Sequence, residues 1–224
     1  MGAELFGSAE LFPPKVRLGL LLARALTWEV TMSDFTDPRG SDVLTRSSVS
    51  PDRLIGTTGS ARISACEKYR YSLDRGWATN GGIVVWIMLN PSKADAITTD
   101  NTVQRIIDYS QRWGFASLRV VNLYAYRSTD PDALLSLQDP IGPDNDAEIE
   151  YACEIAARIV CAWGAHSSTQ RLFGSGCRIS RESQVRAIIS RSGKPCGVLS
   201  LTKSGSPRHP LRIPAATPWS VWQP

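Results

Sequence analysis

Seven residues from Ile83 to Leu89, IVVWIML, are apolar without a break and then stop on Asn90 and Pro91. A short run of this kind, rich in β-branched side chains, predicts a strand covered on both faces. Three further runs share the character: SLRVVNL (117–123), IVCAW (159–163) and CGVLSLT (196–202). Between them the period lengthens to that of a helix. Val103, Ile106, Ile107 and Ser110 fall on one helical face, behind a cap at Thr99 or Asp100 and ahead of Gly114. GPDNDAEIEYACEIAAR predicts a second helix, with Pro143 in its first turn and acids where the helix dipole favours them. RESQVRAIIS, closed by Gly193, predicts a third, and DALLSLQ a short helical turn.

Upstream, YRYSLDRGW and IVVWIML flank ATNGG, whose Asn-Gly step predicts a hairpin and hence an antiparallel edge strand beside the first core strand. The fold expected is α/β: a three-layer α/β/α sandwich with a mainly parallel sheet of four core strands plus that edge strand. Residues 33–60 are rich in Ser, Thr, Asp, Gly and Pro and read as a linker, so a single domain is expected over 61–224. Residues 1–60 would be an extension, helical at Lys15–Trp28, and Met32 offers a second start.

Composition narrows the function classes. The stretch VRLGLLLARALTW is interrupted by Arg17 and Arg24, too short and too charged to span a bilayer, and Glu4 and Glu10 precede it where a secretory leader would be basic. A cytoplasmic protein without membrane association is expected. Five cysteines without a C-x-x-C pair predict reduced thiols, Cys161 among them as a buried inert one, and two histidines make a metal site unexpected. No cofactor is implied. The net charge of +4 is uneven: residues 165–224 hold nine Lys or Arg against Glu182 alone, a balance of +8, whereas 61–164 come to −3. Such a basic third suits a phosphate-bearing partner, nucleic acid or nucleotide; an Arg-rich solvated helix face explains it equally well.

Open α/β sheets bind ligands past the carboxyl ends of their strands. What stands there is LNPSKAD, NLYAYRSTDP, AWGAH and TKSGSPRHPL, none of which is a phosphate loop, a dinucleotide fingerprint or a nucleophile elbow. The polar candidates are Asn90, Pro91, Ser92 and Asp95 after the first run, Asn122, Tyr124 and Arg127 after the second, Gly164 after the third, and Lys203, Arg208 and His209 after the fourth. Each has a plainer explanation: Asn90-Pro91 as a turn, Asn122 as an internally bonded amide, His209 as an exposed loop imidazole, Tyr124 as packing over the sheet end. Asp100 reads first as a helix cap, and Trp86 and Trp163 as core.

The ordered series YRY.L.R.W, MLNPS.AD, D.T..R, NLYA.R.TDP, GP.ND, AWG and TK.G.PRHPL, from about Tyr69 to Ile213, resembles the bacterial family known as domain of unknown function 1643, from whose usual pattern Lys93 and Asn101 depart. More remotely, MLNPS and RHPL resemble the loop after the first core strand and the His-Pro motif after the last in the uracil-DNA glycosylase superfamily. That resemblance implies a nucleobase- or nucleotide-directed protein, with N-glycosidic bond hydrolysis as the activity. Asn90 would position a water, Asn122 would bind the base edge, and His209 would stabilise the leaving group or grip a phosphate. The alternative is a non-catalytic nucleotide or nucleic-acid binding module using the same pocket. Either way, Asn90, Asn122 and His209 must meet in one cleft.

Overall fold

A computed structural model describes residues 43–49, 58–92, 94–170 and 179–224, all within one compact unit, residues 37–224. The helix expected at 15–28 lies outside them. The strands are β1 (Val43–Val49), β2 (Thr58–Ser64), β3 (Arg70–Gly76), β4 (Ile83–Met88), β5 (Ser117–Asn122), β6 (Arg158–Cys161), β7 (Cys196–Val198) and β8 (Ser220–Val221). They form one sheet in the order β1-β2-β3-β5-β4-β6-β7-β8. The four strands β5, β4, β6 and β7 run parallel, as the apolar runs predicted.

The fold is therefore α/β, with more flanking strands than expected. Three antiparallel strands lie outside β5 and one outside β7. Strand β1 falls inside the stretch read as a linker, and β2 begins before Ala61. Ser, Thr and Gly hide a strand whose neighbours supply the ladder. The predicted hairpin is also corrected: β3 and β4 are not paired, because β5 lies between them and takes β3 antiparallel through Leu73–Val120 and Arg75–Leu118. ATNGG instead wraps the start of β5, where Trp77 and Ala78 both donate to the Ala116 carbonyl.

Helix α1 (Asn101–Arg112) covers one face, and α2 (Asn145–Ile155) and α3 (Arg181–Ser192) cover the other. The period-2 alternation of β4 sends Val84, Trp86 and Met88 toward α1, and Val85 and Ile87 toward α2 and α3, all buried. Asp100 caps α1 by accepting from Val103 N–H at 2.8 Å, as expected. Pro143, by contrast, precedes the α2 cap Asp144 rather than lying in the first turn. Under α1, Trp86 stacks on Trp113 with centroids 5.7 Å apart and donates its Nε1–H to Ser110 Oγ. Among the described residues no helix is long and apolar enough to cross a membrane.

Candidate functional site

The loops past β4 and β5 are bonded to each other before they reach any ligand. Backbone pairing continues beyond the strands, Leu123 N–H to Met88 O and Tyr124 N–H to Leu89 O. Asn90 then donates both hydrogens of its Nδ2, one to Pro91 O at 3.2 Å and one to Ser128 O at 2.8 Å. Ser128 N–H closes the junction on Pro91 O. The remainder of the first loop is drawn back to α1, since Ser92 Oγ–H donates to Asp100 Oδ2 at 2.6 Å. On its outer side Arg75 donates to Asp95 O and Thr98 O, and the loop rests on β2 so closely that a Cβ at Gly59 would stand 2.4 Å from Ala96 O.

The segment carrying His209 is pinned from two sides. Gly164, in a left-handed conformation (φ +78°), donates its N–H to Pro207 O at 2.7 Å, and Tyr109 of α1 donates its hydroxyl to Pro214 O at 2.7 Å. His209 Nδ1 accepts from Leu211 N–H at 3.4 Å. A ring that accepts on Nδ1 carries its proton on Nε2 when neutral. Burial, then the nearby Arg212, lower the His209 pKa, while Asp100 acts the other way; the neutral ring is the form present at neutral pH.

These pieces enclose a cavity of about 180 Å³ at the carboxyl ends of β4 and β5 and the N-terminus of α1, and Asn90, Ser92, Asn122 and His209 all line it. The three residues required to meet do so. Seven other expected residues do not line it. Tyr124 is fully buried, donates to Ser168 O and does not line the cavity, so its ring does not stack on a ligand there. Asp95 accepts from the N–H groups of Ile97 and Thr98; burial pushes its carboxyl up, but these bonds outweigh it and leave the pKa lowered. Arg127 reaches Glu67 O, and Pro91 is buried within the junction. Gly164 acts through the backbone, and Lys203 and Arg208 are exposed outside the cavity. The basic third is likewise dispersed: Arg181 is buried against Asp146 and Leu123 O, Arg186 lies over Trp222, and Arg191 pairs with Glu150.

Two lining residues escaped the sequence reading. Trp163 is 2% exposed, but its Nε1–H has no partner among the described residues. Arg70 is 3% exposed, donates Nη1–H to Ala94 O, and leaves Nε unpartnered. Burial draws its pKa down to about 10, which still leaves it charged at neutral pH. A β-bulge delivers it: Arg62 pairs with Ser72 but Ile63 with Arg70, so Tyr71 is the extra residue, and strand alternation is reset by one. Asn122, 1% exposed, has an unpartnered Nδ2 as well. Three buried donors thus have no acceptor among the described residues, where burial without a partner is costly.

A family model described as "Protein of unknown function (DUF1643)" matches residues 70–211. No curated protein and no solved structure matches the chain.

Proposed function

The chain belongs to the DUF1643 family, and from that premise we propose that its cavity is nucleobase-directed, with hydrolysis of an N-glycosidic bond as the reaction its groups suit. The observation that carries this reading is the convergence of Asn90, Asn122 and His209 on one cavity. Its size favours a single ring: about 180 Å³ is below the roughly 300–1,000 Å³ of sites that hold drug-sized ligands. The resemblance of MLNPS and RHPL to uracil-DNA glycosylase motifs points the same way.

In such a reaction the bond from C1′ to the base nitrogen breaks, water adds hydroxide to C1′, and the proton it gives up ends on the departing base. Asn90 suits the water. With both Nδ2 hydrogens held by Pro91 O and Ser128 O, the amide is fixed and Oδ1 is left to accept from a water molecule. Asn122 Nδ2 suits a base carbonyl, since that donor lacks a partner among the described residues. His209 suits the charge that develops on the leaving base, because a neutral ring protonated on Nε2 donates without a proton having to arrive first.

One observation favours binding without turnover. Among the described residues Asp100 is the sole carboxylate lining the cavity, and both its oxygens already accept hydrogen bonds. No idle carboxylate stands ready as a general base. Oligonucleotides carrying uracil, hypoxanthine or oxidised bases separate the readings. Turnover produces abasic sites that Asn90→Ala abolishes; a binding module gives salt-dependent association without product. Neither product nor binding from any of them would end the nucleobase reading.

A further inference from the structure

We infer that the group seated in the cavity is an oxyanion, a ring carboxylate or a phosphate, gripped by Arg70, Asn122 and Trp163. This deepens the nucleobase reading and rests on it for the shape of the ligand. Three residues that line the cavity have donors left over, and one of them is a cation. Arg70 Nε, Asn122 Nδ2 and Trp163 Nε1 are buried without an acceptor among the described residues, in side chains exposed by 3%, 1% and 2%. No carboxylate of the described residues lies within ion-pairing distance of Arg70. Asp100 influences it only through space, and its own oxygens are engaged by Ser92 and the Val103 N–H.

A buried guanidinium held this way is costly until an anion arrives. An oxyanion has only acceptors to offer, so it answers all three donors at once. A neutral base edge would set its own N–H groups among them. The N-terminus of α1, whose Thr102 and Val103 line the same cavity, adds its positive end to the field. The cation is also delivered by design of the backbone, since an unbulged β3 would turn Arg70 to the other face.

The test is isothermal titration of the full chain at pH 7.5 with three probes: orotate, which is uracil bearing a ring carboxylate, then uracil, then inorganic phosphate. Orotate binds at least about tenfold more tightly than uracil, as one charge-assisted hydrogen bond provides. Arg70→Met removes that preference, Arg70→Lys keeps part of it, and Trp163→Phe weakens orotate binding several-fold more than it weakens uracil binding, a difference that lost core packing alone does not produce. Should Arg70→Met fail to fold, the orotate-to-uracil ratio of the unaltered protein and the Trp163→Phe arm still decide. Uracil binding as tightly as orotate overturns the inference and leaves the nucleobase reading standing. Phosphate binding with neither pyrimidine does the reverse, supporting the oxyanion and sinking the base. Binding of none of the three ends both.

Discussion

Arg62 and Arg70 lie near one another across the β2–β3 pair, and both are nearly buried, at 8% and 3% exposure. Arg62 enters a network on the α2 face: it pairs with Glu148 at 3.0 Å and Asp144 at 3.7 Å, while Arg119 joins Glu148 to Asp74. Arg70, on the α1 face, has a backbone carbonyl and a cavity. In the first arrangement the protein's own carboxylates answer the cation, which serves the fold. In the second, no carboxylate of the described residues lies within ion-pairing distance, and Nε has no acceptor among them. Burial and charge alone do not separate a structural cation from a binding one; the acceptor inventory around each does.

Removing the shared carboxylate tests that contrast hardest. Glu148→Ala leaves Arg62 and Arg119 short of a partner at a nearly inaccessible site, and unfolding by denaturant shows a loss of about 3–5 kcal/mol. Gly59→Ala comes next, because its Cβ must displace the Ala96 carbonyl from 2.4 Å. It costs about 1–3 kcal/mol in the same measurement and weakens ligand binding by shifting the loop between β4 and α1. Asp100→Ala removes the α1 cap and the Ser92 tether and costs about 1 kcal/mol. Asn122→Leu, in contrast to the Glu148 change, is close to neutral for stability, since it removes a buried donor that has no partner among the described residues. It abolishes ligand binding all the same.

The smallest effect is a pH slope. Burial and then Arg212 depress the folded pKa of His209, so the unfolded chain, with an ordinary histidine pKa of about 6.5, binds the proton first as the pH falls. Stability therefore declines from about pH 6.5 downward and levels off once the folded-state ring is also protonated. His209→Gln flattens that part of a denaturation profile.

What was legible in the chain follows from which interactions are local. The alternation of apolar runs with Val103, Ile106 and Ile107 on one helical face predicted the parallel core, and Asp100 its cap, because both depend on neighbours in sequence. The placement of β5 between β3 and β4 depends on partners far along the chain, so the local Asn-Gly signal misled. Asn90, Asn122 and His209 stood out as polar groups where an α/β sheet ends. Arg70 did not, because strict alternation puts it on the wrong face of β3 until Tyr71 is known to bulge. Trp163 was read as core and is buried. Whether an indole N–H finds an acceptor is invisible to any hydrophobic pattern.

The sheet order has a consequence for assembly. Arg70 belongs to the antiparallel flank, Asn122 and Trp163 to the ends of parallel strands, and His209 to a segment held by α1, so no contiguous piece of the chain carries the cavity. A nascent or half-folded polypeptide, even with its parallel strands paired, has nothing to recognise a ligand with. Under the proposed function, affinity appears only when the last long-range connection closes, so that binding would report completed folding and a bound ligand would hold the flank and the core together against local opening.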